Sequence, residues 1–439
     1  MYKKIFLLSL LFAGFLKSQT TTNVISQAVY YDGYAATVST PVPSGLIRLN
    51  NARYARKLTD TELDSFKATI SMKVTIGALC DNYDRLGEVF LALVPKNQPT
   101  YTINDANVKR IEVGRYITPF MNKNRTPTQV PYTYDVSNLY SIFHSTELRN
   151  MYDIYMELDV FGVPYAANNE VAGCAGRNDV FSGTLTFTST NTGTATDYNT
   201  LVPILTYNRL NNYNSTDVAG ETVRIVSFNL PTPVTNARFF VISTPHGNPE
   251  EYNRRQNYTY IDDVQVLTYT PGGTSCEPYR VYNTQANQIY HSTPQTTSWW
   301  TSWNNWCPGS SVPTREFTLS SLAAGNHTLK HTIPTAVFNQ EGEVNLSVYM
   351  QGKSNTTLKA AENVKITDVG IYPNPTSDFV NIKSETGISS ISLFNINGRK
   401  LSENYGDDKI DISTQSKGTY ILNIVLKDGT TFKHKIIKK

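Results

Sequence analysis

Charge is scarce in this chain. Asp, Glu, Lys and Arg make up 17% of its 439 residues, and the formal balance is +3. No long basic block occurs, which argues against nucleic acid as a partner. Cysteine is rarer still. The four are Cys80, Cys174, Cys276 and Cys307. They form no CxxC pair and no Cys/His cluster at zinc-ligand spacing, so no metal and no cofactor is expected. His246, His291, His327 and His331 are scattered, as surface or structural histidines are. After the first residues no apolar run is long enough for a transmembrane helix, so no stable membrane span is expected.

What the chain has in plenty is Tyr, Thr and Asn. Thr and Tyr favour half-buried pleated surfaces, and the reading is an all-β protein. Its length suits two sizeable cores plus an appendage. The first stretch, Met1 to Gln19, reads as an export signal. Lys3 and Lys4 precede an apolar run, Ile5 to Leu16, too short to span a bilayer comfortably. An even number of cysteines in an exported chain predicts two disulfides.

The chain is organised around Cys80-Asp81-Asn82-Tyr83-Asp84-Arg85. Apolar runs Ile70 to Leu79 and Val89 to Val94 flank it, which predicts strand, tight turn, strand. That puts Asp84 and Arg85 at the rim of a β structure, where a surface ion pair is the bland reading and a ligand site the sharper one. Asp153 to Phe161 alternates strongly. Ile154, Met156, Leu158 and Val160 share one face, and Tyr155, Glu157 and Asp159 the other. Glu157 then points away from the core, as a ligand-facing or an ordinary outward carboxylate would. Glu250-Glu251-Tyr252-Asn253-Arg254-Arg255 follows a strand, Phe239 to Ser243, and a proline-bounded loop. All four Trp lie in one loop, Trp299 to Trp306, beside Cys307. Such a cluster reads as a mini-core or as a stacking platform for sugar rings. The divisions are an export signal (1–19), a first β domain (20–195), a second (196–352), a polar linker (353–367) and a small β unit (368–439). That last unit reads as a separate attachment or sorting module.

The tail carries YPNP, SLFNINGRKL and KGTYILNIVLKDGTTFKHKIIK. It resembles the C-terminal sorting domain of type IX secretion substrates. That implies contact with the type IX machinery and export through periplasm and outer membrane, to the cell surface or the medium. The central part carries CDNYDR, EVGRYITPF, YDVSNL, IYMELD, LVPILTYN, EEYNRR and NWCPGSSVPTR, in that order. It is similar to the peptide-N-glycosidase F family. The resemblance implies two side-by-side eight-stranded antiparallel jelly rolls with the site between them. It also implies metal-independent hydrolysis of the amide joining an N-glycan to asparagine, in a monomer acting on N-glycoproteins or glycopeptides.

The same resemblance assigns catalytic roles to Asp84, Glu157 and Glu251. It puts Tyr83, Arg85, Asp159, Tyr252, Arg255, Trp303 and Trp306 in the substrate-binding shell. It implies the disulfides Cys276–Cys307 and, with it, Cys80–Cys174. Some positions depart from the family pattern. Trp303 stands where the family has Arg, Tyr83 and Tyr252 where it has Trp, and Asp159 where it has an aromatic. The alternative function is a glycan- or glycoprotein-binding protein on the same scaffold, with its chemistry altered or lost.

Overall fold

The computed structural model describes residues 19–210, 223–289, 291, 293–338, 341–355 and 367–439. Apart from Gln19, the expected export signal lies outside the described residues, as does most of the expected linker. Every sheet is antiparallel. The first sandwich contains β1 (Thr20–Tyr31), β2 (Ile47–Asn50), β3 (Arg53–Lys57), β4 (Thr69–Ala78), β5 (Leu86–Pro95), β6 (Lys109–Ile117), β7 (Gln129–Asp135), β8 (Tyr152–Val160) and β9 (Asp179–Thr190). A four-stranded sheet, β1-β9-β4-β7, faces a five-stranded one, β2-β3-β8-β5-β6. The short β2–β3 hairpin takes this sandwich past the eight strands that the resemblance implied.

The second sandwich contains β10 (Thr200–Arg209), β11 (Val223–Leu230), β12 (Val234–His246), β13 (Asn257–Ile261), β14 (Val264–Tyr269), β15 (Arg315–Leu322), β16 (Gly325–Thr332) and β17 (Glu343–Ser354). Here β10-β17-β12-β15 faces β14-β13-β16-β11.

The periodicity explains which strands are half-buried. Along β7, Val130, Tyr132 and Tyr134 enter the core while their neighbours face water. By contrast, β5 and β8 are buried on both faces. Val89, Leu91, Ile154 and Met156 fill the first core. On the opposite face Ala92, Val94 and Tyr155 pack under Tyr101 and Val108, from the segment linking β5 to β6. The outward face expected for Glu157 is therefore covered.

The two sandwiches meet where β6 lies against β10, β12 and β17. Arg115, fully buried, makes two 2.7 Å bonds to the Glu112 carboxylate. It also donates to Thr244 Oγ1 at 2.8 Å and to the Asn345 carbonyl at 2.7 Å in the second sandwich. A buried guanidinium needs this full set of partners, and it fixes how the two sandwiches sit.

The tail contains β18 (Thr367–Tyr372), β19 (Phe379–Lys383), β20 (Ile388–Asn395), β21 (Lys400–Tyr405), β22 (Lys409–Asp411), β23 (Gly418–Leu426) and β24 (Thr431–Lys438). The sequence predicts a unit that stands apart. Instead β18 pairs with β11, with Val369 opposite Ile225 and Gly370 opposite Arg224. The second sandwich's sheet thus runs on through β18-β19-β22 to seven strands. Val223 and Ile225 share a core with Val369, Ile371 and Val380. The physical reason is the edge of β11, whose unpaired backbone groups are completed by a strand within reach. Among the described residues no helix is long and apolar enough to cross a membrane.

Candidate active site

The turn between β4 and β5 is braced from three sides. Cys80 is bonded to Cys174, which ties the turn to the loop after β8. Asp81, almost fully buried, is the hub. Its Oδ1 accepts the Tyr83 N–H at 2.9 Å, and its Oδ2 accepts the Val163 N–H at 2.7 Å. Arg85 Nε donates to the same Oδ2 at 2.6 Å. On the third side, Thr118 accepts the Arg85 N–H through Oγ1 and donates its own N–H to the Arg85 carbonyl, both at 2.7 Å. Arg85 is thus engaged with Asp81, and its guanidinium lies 5.1 Å from the Tyr83 ring.

The second sandwich supplies the opposing turn, at the end of β12. Gly247 has φ +69°. A Cβ there would collide with the Glu341 carbonyl, so only glycine fits. The Glu251 N–H donates to the Gly247 carbonyl at 2.9 Å, and the Gly247 N–H to Glu251 Oε2 at 3.3 Å. Asn305 Nδ2 faces the carbonyls of Glu250 and Glu251, both at 2.8 Å. Glu250 is buried. It accepts Arg255 Nε at 3.0 Å and the Val337 N–H at 2.8 Å. Arg255 therefore clamps the turn from inside.

These two turns bring Asp84, Glu251 and Tyr252 together. The Asp84 carboxyl is pushed up to about 7, by burial first and then by the Glu251 carboxylate, against the pull of Arg85. Burial also raises Glu251, opposed by the Gly247 N–H and the Tyr252 hydroxyl. The Tyr252 hydroxyl is pushed up to about 12, by burial, by its bond to Glu251 and by the nearby charges of Glu251 and Asp84. When Glu251 is ionised, its charge helps Asp84 keep a proton near neutral pH. His246, at the end of β12, is driven down to about 3 by burial and by Arg115 and Arg209, so its ring is neutral. Among the described residues no three of His, Cys, Asp and Glu gather as metal ligands would.

Glu157 stands elsewhere. It pairs with Phe90 on β5, six residues along from Asp84. The extended run from Leu86 to Phe90 alone carries it about 13 Å along β5 from the turn. Its carboxylate, fully buried, is held by Arg53 at 3.3 Å, Arg110 at 3.0 Å and the Tyr101 hydroxyl at 2.9 Å. Asp159 joins the same network through Arg53 at 2.7 Å, with its carboxyl raised by burial.

The Trp loop is a mini-core. Trp303 packs against Trp299 and Trp300, with ring centroids 4.3 and 6.3 Å apart, next to the Cys276–Cys307 disulfide. Trp306 wedges between Ile117 of the first sandwich and Ile242 of the second, its indole N–H donating to the Pro245 carbonyl at 3.1 Å.

Three residues given no role from sequence hold the site in place: Asp81, Thr118 and Asn305. Asp81 had a readable signal, because an Asp two residues before a turn amide forms an Asx turn. Thr118 and Asn305 act across the chain, on partners that local sequence does not show.

Comparison with known proteins follows the same division. The profile described as peptide-N-glycosidase F, N terminal, matches residues 21–175, and its C-terminal counterpart matches residues 212–351. A secretion system C-terminal sorting domain matches residues 370–439. No curated protein matches the chain. Among solved structures, PNGF-II superposes with a TM-score of 0.56 at 18% identity, over 77% of this chain. The match spans 66% of PNGF-II, just under two thirds of its length. PNGase F, a glycosylasparaginase from Flavobacterium meningosepticum, superposes at 0.50 with 17% identity, over 80% of this chain and 99% of that one. At such identities the superpositions speak for the fold. The chain belongs to the peptide-N-glycosidase F family and ends in a sorting domain of the type IX secretion route, which marks it as a secreted or cell-surface protein.

Proposed function

We propose that the protein is an amidase that hydrolyses the bond between an N-glycan and asparagine. The carrying observation is the meeting of two carboxyls with raised pKa, one from each sandwich. Two nearby carboxyls, one holding its proton and one ionised, provide an acid and a base at the same pH. In this reading Glu251, ionised, holds the water and takes its proton as oxygen attacks the amide carbon. Asp84, protonated, gives its proton to the leaving nitrogen as the carbon–nitrogen bond breaks. The products are an aspartate side chain and a glycosylamine. Tyr252, 61% exposed and next to Glu251, borders the sugar. Glu157 and Asp159 brace the covered outer face of the first sandwich, and Arg85 and Arg255 set the two turns.

A second reading, glycan binding without turnover, draws on one observation. Arg85 and Arg255 are engaged with Asp81 and Glu250 and offer no free cation to a developing oxyanion. Incubation with a denatured N-glycoprotein separates the two readings. Hydrolysis adds about one mass unit at each former glycan site, because an amide becomes an acid. Asp84→Asn should lower the rate by about 10²–10⁴. An inert wild-type protein that retains glycoprotein on a column would establish the second reading.

A further inference from the structure

The Cys276–Cys307 disulfide ties together two loops of the second sandwich, and a pocket of about 280 Å³ lies beside it. Residues from 271–279 and 305–315 line this pocket, together with Ser243 and Thr244 of β12. Neither Asp84 nor Glu251 does. Arg315, the first residue of β15, is half-buried in the wall. Its guanidinium lies 3.9 Å from the centre of the Tyr269 ring. That ring is held in turn, its hydroxyl sharing a 2.5 Å hydrogen bond with Ser243 Oγ. A guanidinium carries five N–H donors. Among the described residues, Arg315 uses one, to the Pro313 carbonyl at a long 3.4 Å. It pairs with no carboxylate there, and no described Asp or Glu lines the pocket. Burial pulls its pKa below the usual arginine value, opposed only by Tyr269.

Asn305 adds an idle acceptor. It is 6% exposed, and its Nδ2 is committed to the carbonyls of Glu250 and Glu251. Its Oδ1 accepts no hydrogen bond among the described residues. Unused charged donors suit a carboxylate, which meets a guanidinium fork to fork. The rest of the lining suits a sugar. Ser275 and Ser311 carry hydroxyls that both donate and accept, and Tyr279 and Trp306 bring rings for the apolar face of a pyranose. The volume falls just under the range of drug-sized sites, which fits one sugar ring better than a stretch of polypeptide. We propose that this pocket binds an acidic sugar, with its carboxylate on Arg315 and its hydroxyls on the polar lining that includes Asn305. Asn305 also joins the pocket to the Glu251 turn, so in the amidase reading the acidic sugar is part of the glycan being released. That last step alone rests on the amidase reading; binding of the free sugar does not.

The probes are free N-acetylneuraminic acid and its methyl ester, which differ by one charge. Ligand-observed NMR titration of the full chain reads binding without any turnover. Wild type should bind the acid about tenfold more tightly than the ester, as one charge-assisted hydrogen bond provides. Arg315→Gln should erase that difference. Ser275→Asp is the second variant. Ser275 is exposed, and its Oγ accepts the Glu277 N–H at 3.2 Å, a bond that an Asp carboxylate keeps. The added charge should weaken binding of the acid and spare the ester, in a protein that melts like wild type. Acid and ester bound equally by wild type, or neither bound, would overturn the proposal. So would a triaspartate peptide bound as tightly as the acid, which would make the ligand a polypeptide. Acetate bound as tightly would overturn it too, as an unspecific anion site. A treated glycoprotein of unchanged mass would count against the amidase reading and leave these binding expectations as they stand.

Discussion

At the scale of single residues, Asp84 carries the largest consequence. An unfolded aspartate titrates near 3.9, whereas folded Asp84 is held at about 7. Folding takes up a proton between those values. The stability this gives is complete below about pH 4 and is lost as pH rises through 7. An amide in its place has no such proton to lose, so Asp84→Asn should gain thermal stability relative to wild type between pH 4 and pH 8. Paired melts across that window check it. In the amidase reading, the same pKa would set the basic limb of kcat/KM near pH 7. Because the Glu251 charge helps raise it, Glu251→Gln should move that limb to lower pH, alongside a loss of rate. Trp303→Arg follows a different logic. Restoring the family's usual residue would place a cation inside a Trp cluster beside a disulfide. The expected outcome is a loss of about 2 kcal/mol, below the range for deleting a fully buried aromatic because Trp303 is half-buried. No gain in deglycosylation is expected. A melt and a rate assay on the same sample decide it.

At the scale of elements, β8 shows how a strand's second face can be recruited. Its alternation left Glu157 pointing away from the core. The segment between β5 and β6 folds over that face and turns Glu157 into the centre of an ion-pair network. Glu157→Gln removes the charge while keeping the shape. Arg53 retains Asp159, but Arg110 is left with the carbonyls of Ile103 and Thr102. Stability should fall by about 3 kcal/mol, as for one partner taken from a buried pair. Activity per folded molecule should stay within a few-fold of wild type. Urea unfolding, with activity corrected for the folded fraction, separates this supporting role from a catalytic one, which would lower kcat in fully folded protein.

At the scale of the whole molecule, the tail is joined to the second sandwich through β18. Removing residues 367–439 would bare the edge of β11 and uncover Val223 and Ile225, now 2% and 3% exposed. Each such side chain is worth roughly 1.5–3 kcal/mol when fully buried. The truncated protein should therefore melt lower than the full chain and bind a hydrophobic dye. Identical melting of the two second sandwiches would show that β18 adds nothing to it.

The sequence alone indicated the fold class and the family, and it pointed to the motifs around Asp84 and Glu251. These rest on local signals: strand alternation, turn residues and short runs of matching letters. The meeting of Asp84 with Glu251, implied beforehand only by the family resemblance, needed tertiary structure to be seen, since they lie on different sandwiches and are oriented by Arg115 across the interface. So did the burial of Glu157, decided by a covering segment that alternation cannot reveal. The same holds for Trp303, where a loop rich in Trp reads equally well as platform or core until packing chooses. The joining of β18 to β11 is the plainest case. A strand's hydrogen bonds run sideways to whatever edge lies beside it, and nothing in its own residues names that neighbour.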